Sequence, residues 1–179
     1  MPTPSIKGYP RRYESRLTLK NGEEVFLRPI LPTDGPLLLD LFNRMSPQSV
    51  RMRFLRRMNA LPENMIRRFT HIDYSSEFAL VAIIREDEKE AILAVGRYAH
   101  DPDENLTELA VAVRDDRQHL GLGKPLLAKV VDIAKEHDIS RFMGMMDPRN
   151  HVIRRILSDL GYDVKYYWES GFFRLEIVA

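Results

Sequence analysis

The segment from Leu106 to Met146 restricts the fold more than any other part of this chain. Leu106 to Val113 is a strand pattern, Gly121 to His137 places Leu122, Leu126, Leu127, Val130, Val131 and Ala134 at helical spacing, and Ile139 to Met146 is a strand again. Seven residues separate the first strand from the helix, and the helix runs almost directly into the second strand. Joints this short close a strand–helix–strand unit as a right-handed crossover between parallel strands. Just upstream, Phe78 to Ile84 and Ala91 to Tyr98 are apolar runs across the charged tip Glu86-Asp87-Glu88-Lys89. A tip that short requires antiparallel pairing, so the sheet must be mixed in direction.

The other elements fit around that sheet. Leu17 to Lys20 and Glu24 to Arg28 flank Asn21-Gly22, a hairpin signal because both central residues of a type I′ turn take positive φ. Three helices follow. Thr33 is the expected cap of the first, Ser46-Pro47 opens the second, and Pro62-Glu63 opens the third. A helix over 150–160 and two terminal strands, 162–169 and 172–178, complete the order β-β-α-α-α-β-β-β-α-β-α-β-β. The expected class is α/β, a mixed sheet flanked by helices, with residues 16–179 as one domain. Pro2, Pro4 and Pro10, together with Lys7, Arg11 and Arg12, read as a flexible basic arm over residues 1–15.

Composition removes several functions. The 27 Lys and Arg balance 26 Asp and Glu, whereas a general nucleic-acid binder is usually strongly basic. No cysteine is present, which excludes disulfides, thiolate metal sites and a cysteine nucleophile. Five scattered histidines without an HExxH pair give no expected metal site. No apolar run reaches membrane-spanning length, and Met1 to Pro10 does not resemble a signal peptide, so the expected location is cytoplasmic.

The loop Arg117-Gln118-His119-Leu120-Gly121-Leu122-Gly123-Lys124 joins a strand to a helix. Glycines two apart at a helix start let backbone N–H groups approach an anion, and the helix dipole favours negative charge there. The loop is neither GxxxxGK[ST] nor GxGxxG. A tight turn without a ligand is the plain alternative. The longer pattern is more specific: Leu109 to Val113, then Arg114-Asp115-Asp116, then Gln118-x-x-Gly121-x-Gly123, with Asn150 and Leu160-Gly161-Tyr162 downstream. It resembles the acyl-CoA motif of the GCN5-related N-acetyltransferases (GNAT). Leu27 to Ile30, Ser46 to Ser49 with Arg53-Phe54, His71 to Tyr74, and Thr107 to Val111 are similar to bacterial protein lysine acetyltransferases in particular.

The resemblance implies two central parallel strands, 106–113 and 139–146, that splay to admit acetyl-CoA as co-substrate. Backbone groups of Val111, Ala112 and Val113 would pair with the pantetheine arm, and Gln118, His119, Leu120, Gly121, Leu122, Gly123 and Lys124 would meet the diphosphate. Lys124 could add a point charge there. Asn150 could bond the pantetheine, cap its own helix, or do both. It also implies a protein substrate, for which an acyl-CoA synthetase is the usual target in that group.

Acetyl transfer to an amine requires a neutral amine, and at pH 7.4 only roughly one lysine in a thousand is deprotonated. Supplying that form costs about 4 kcal/mol, which a positioned base offsets. Glu108 is the candidate. It interrupts an apolar strand, and its same-face neighbours Ala110 and Ala112 are small enough to leave room for substrate. Apolar walls around it are expected to favour proton capture; a solvated strand-end glutamate is the alternative. The general acid has no clear candidate. Leu157 stands where many relatives carry a tyrosine, and Tyr162, Tyr166 and Tyr167 are weaker substitutes.

Charge is unevenly distributed. Arginines 44, 51, 53, 56, 57, 67 and 68 crowd residues 44–68, where Glu63 is the one acid, while residues 85–116 hold ten acids and four bases. An arginine-rich wall by the acceptor entrance would favour a protein surface over a free diamine. A small-amine acetyltransferase and a non-catalytic CoA-binding regulatory domain remain alternatives.

Overall fold

The computed structural model describes residues 8–179. The strands are β1 (Ser15–Thr18), β2 (Glu24–Pro29), β3 (Glu77–Glu86), β4 (Lys89–Asp101), β5 (Leu106–Val113), β6 (Arg141–Met146), β7 (Asp163–Glu169) and β8 (Phe172–Val178). The helices are α1 (Gly35–Asn43), α2 (Pro47–Phe54), α3 (Glu63–Thr70), α4 (Gly123–Glu136) and α5 (His151–Asp159). One sheet of eight strands runs β1-β2-β3-β4-β5-β6-β8-β7, antiparallel everywhere except between β5 and β6.

β3 shows why its sequence is continuously apolar rather than alternating. Phe78, Leu80, Ala82 and Ile84 join a core cluster with Leu126, Leu127, Val130 and Ala134 of α4. Ala79, Val81 and Ile83 join Ile30 with Leu38 and Leu41 of α1 on the opposite face. A strand covered on both faces needs apolar side chains at every position. α4 can lie close because β4 carries Gly96, where a Cβ would come within 3.1 Å of Val130 and 3.2 Å of Leu126.

Two local expectations change. Thr33 is exposed and does not cap α1; Asp34 precedes the helix instead and is buried. Arg28 donates to both of its oxygens at 2.7 and 2.8 Å, and the Leu31 N–H donates at 2.7 Å, so a charge pair pins α1 to β2. Of the expected flexible arm, residues 1–7 lie outside the described part; in the rest the tyrosines turn to the core while Gly8, Arg11 and Arg12 are exposed. Tyr9 is buried, and the Tyr13 ring meets Phe78 edge-on at 5.3 Å. Around Pro10 it is this aromatic contact with the core that places the chain.

Candidate active site

β5 and β6 share one parallel register point, Glu108 opposite Met143, and the ladder goes no further. Backbone direction along β5 then follows from alternation. The Arg114 N–H donates to Leu93 of β4, so Glu108, Ala110 and Ala112 turn their backbone groups towards β4. Val111 and Val113 turn theirs towards the gap. A gap between parallel strands leaves N–H and C=O groups in need of partners, and an amide-bearing ligand can supply them. Both backbone groups of Val111 and the N–H of Val113 therefore fit a pantetheine arm, the Val113 carbonyl being already engaged by Gln118. Ala112 does not present its backbone to the gap; its side chain lines the α1–α3 side.

α2 closes the far end of the gap. Ser46 caps it, with its hydroxyl accepting from the Ser49 N–H at 3.1 Å. The Ser46 N–H and hydroxyl donate to Asp115, just after β5, at 3.0 and 2.6 Å, and the Ser49 hydroxyl donates at 2.9 Å. From the last turn Arg51 reaches Asp147, just after β6, at 3.3 Å. The Arg149 guanidinium, bonded at 3.0 Å, holds the Asp147 carboxyl well below the usual range. One short helix is thus tied to the ends of both parting strands.

The glycine loop leads into α4. His119 has φ +64° and Gly121 φ +84°, while Leu122 is right-handed at φ −82°. A left-handed residue followed by a right-handed one turns successive N–H groups into a concave anion nest. Among the described residues, the N–H groups of His119, Leu120, Gly121, Leu122, Gly123 and Lys124 have no acceptor in the protein. That set of unclaimed donors fits a diphosphate. Gly121 meets a double requirement: its φ is left-handed, and a Cβ there would lie 3.3 Å from Cγ and Cε of Lys20.

Several side chains in this loop have other tasks. Gln118 donates to the Val113 carbonyl and the Ser49 hydroxyl, each at 3.2 Å, so its amide braces the loop against β5 and α2. Leu122 is buried in the main core, Leu120 packs partly against it, and His119 is exposed. Lys124 turns away from the nest, with Nζ 3.1 Å from the Asp159 carbonyl. The Asn150 side-chain oxygen accepts from the Ile153 N–H at 3.2 Å, which realises the cap and leaves its amide N–H groups for a ligand. A charge network fixes the loop's approach: Glu86 accepts from Arg114 and, at 2.7 Å, from Arg44. Those guanidiniums, Arg114 first, hold the Glu86 carboxyl down to about 2.

Glu108 lies on the face shared with Ala110 and Ala112. Its surroundings differ from the expected apolar walls, because Glu108 is exposed and Arg53 and Arg97 attract it electrostatically. Sequence reasoning missed Arg97, which stands opposite Ala110 in the register, pairs with Glu77 at 3.1 Å and lies 4.6 Å above the Phe69 ring. Burial and the neighbouring Arg53 lower it to about 10. The two arginines share an apolar cavity with Leu38, Phe42, Phe69 and Ala112. Leu157 sits in the core, and no described cluster of His, Asp or Glu could hold a metal. Tyr166 and Tyr167 are part-exposed beside Arg154 and Arg174, and Tyr162 packs partly against the core. Of the arginine-rich segment, Arg44 and Arg51 are ion-paired, whereas Arg53, Arg56, Arg57, Arg67 and Arg68 have no ion-pair partner among the described residues.

A mixed sheet that parts beside a strand–helix loop of unclaimed N–H groups offers a cleft for a ligand carrying both amides and a diphosphate, as acyl-CoA does. Comparison with known proteins identifies the family. Residues 24–163 match the family described as Acetyltransferase (GNAT) domain. The chain belongs to that family and is an acetyl-CoA-dependent acetyltransferase. It is 28% identical over 145 residues to Acetyltransferase PA5475 of Pseudomonas aeruginosa, a match covering 81% of this chain and 78% of that one. It is 25% identical over 144 residues to Acetyltransferase Pat of Mycolicibacterium smegmatis, covering 80% of this chain but 42% of Pat. The crystal structure of the GNAT domain of S. lividans PAT superposes with a TM-score of 0.86 at 28% identity, covering 96% of this chain and 99% of that one.

Proposed function

We propose that this acetyltransferase acetylates the ε-amine of a protein lysine by direct attack, with Glu108 as general base. The observation that carries the reading is the position of Glu108: the last residue of β5 paired to β6 before the strands part, exposed, beside two alanines. Acetyl-CoA supplies the thioester. The open edge at Val111 and Val113 pairs with its amides, the N–H groups of 119–124 hold its diphosphate, and the Asn150 amide adds a donor. Glu108 takes the ammonium proton, directly or through one water, and the freed amine attacks. Leu157 has no proton to give, and none is needed if CoA leaves as a thiolate whose thiol has a pKa of about 8.5.

The acceptor reading rests on charge. Arg56, Arg57, Arg67 and Arg68 are exposed as well as unpaired, so the α2–α3 side would repel a diamine and attract an acidic protein surface. Similarity to the GNAT domain of S. lividans PAT is consistent with the same reading; the partner proposed from the sequence resemblance is an acyl-CoA synthetase, and the proposed location is the cytoplasm. Incubating the protein with acetyl-CoA and cell lysate, followed by mass spectrometry, tests it. An acetylated protein lysine is the expected product, and acetyl groups found on small amines alone would refute it.

A further inference from the structure

The phosphate loop does not stand alone. The β1–β2 turn docks on it through two ties. The Lys20 N–H donates to the Leu120 carbonyl at 2.9 Å, and Glu23 pairs with Arg117 at 3.3 Å. The turn itself is rigid: the Gly22 N–H donates to the Leu19 carbonyl at 2.9 Å, and Asn21 accepts from the Glu23 N–H at 3.1 Å.

Between these ties the Lys20 side chain runs along Gly121. Its Cγ, Cδ and Cε lie 3.3, 3.6 and 3.3 Å from the place a Gly121 Cβ would occupy, so the stem covers the glycine that shapes the nest. Lys20 is exposed and has no ion-pair partner among the described residues. Lys124, the cation that the loop's own sequence offers, is committed to Asp159. A nest of N–H groups neutralises a doubly charged ligand only in part, and the Lys20 stem carries a further positive charge towards it from the β1–β2 turn.

We propose that Lys20 is a CoA-binding residue, its ammonium completing the anion site of the 119–124 loop by contacting a phosphate of CoA. The chemistry is that of a lysine point charge on a phosphate. The apolar stem is held by Gly121, and the head is left free for the anion.

The test uses the whole protein, titrated calorimetrically with CoA and with dephospho-CoA, which lacks the 3′-phosphate. Lys20→Met retains a stem to cover Gly121 and removes the charge. At low ionic strength it should weaken CoA about fivefold to tenfold and flatten the salt dependence, while Lys20→Arg retains tight binding. An equal loss for both ligands assigns the contact to the diphosphate. A loss for CoA with none for dephospho-CoA assigns it to the 3′-phosphate. Wild-type CoA affinity in Lys20→Met overturns the proposal, including the case in which Lys20→Ala alone binds weakly, since that would make the stem's packing the whole effect. The proposed lysine acceptor plays no part in this titration.

Discussion

Substituting alanine for Gly121 separates backbone shape from contact. At φ +84° an L-residue is strained by about 1–2 kcal/mol. The new methyl would press on the Lys20 stem at 3.3 Å, but that stem is exposed and can yield by a few tenths of an ångström. Strain should therefore dominate. For a chain of this size about 1 kcal/mol corresponds to about 2–4 °C in Tm. If the loop keeps its shape, Tm falls by about 2–8 °C and the KM for acetyl-CoA stays low. If Gly121→Ala relaxes to negative φ instead, Tm is spared, the nest opens, and KM rises by roughly tenfold as charge-assisted bonds are lost. Thermal melts and a thiol-release assay on the same preparation read both quantities. Repeating the change in a Lys20→Ala background should leave the combined loss nearly intact. Unchanged Tm and KM together would refute the assignment of the loop.

Other consequences concern the frame. Glu86 titrates at about 2 in the fold against an ordinary 4.5, so its contribution is complete above about pH 4.5 and is lost as pH falls from there towards 2. The Tm difference between wild type and Glu86→Gln should therefore shrink across that window, and a constant difference would contradict the network. Gly96→Ala should destabilise by about 1–3 kcal/mol in urea denaturation, because the methyl would press Val130 and Leu126 of α4 back by a few tenths of an ångström; a neutral effect would mean they yield at no expense.

Much of this was legible in the sequence because the signals were local. The continuous apolar run of β3 and the aliphatic stripe of α4 define their own geometry. So do Asn21-Gly22 and the cap-then-proline pair Ser46-Pro47. What the sequence could not show depended on partners distant in it. Thr33 lost the start of α1 to Asp34 because Arg28 reaches it from β2. Lys124 reads in sequence as a possible point charge for the diphosphate, and the Asp159 carbonyl of α5 that its Nζ reaches is out of view there. Glu108 looked walled by alanines until the register put Arg97 opposite Ala110 and α2 brought Arg53 in from the other side. Lys20 gave no signal at all, since nothing in a hairpin turn announces which loop it will rest on.

The role of Glu108 is tested most directly by Glu108→Gln in single-turnover acetylation of a lysine substrate at saturating acetyl-CoA, followed across pH. The account predicts a fall of about 10² or more near neutrality, recovery as pH rises towards the lysine's own pKa, and unchanged affinity for acetyl-CoA. A Glu108→Gln enzyme that transfers at the wild-type rate at pH 7 would contradict it.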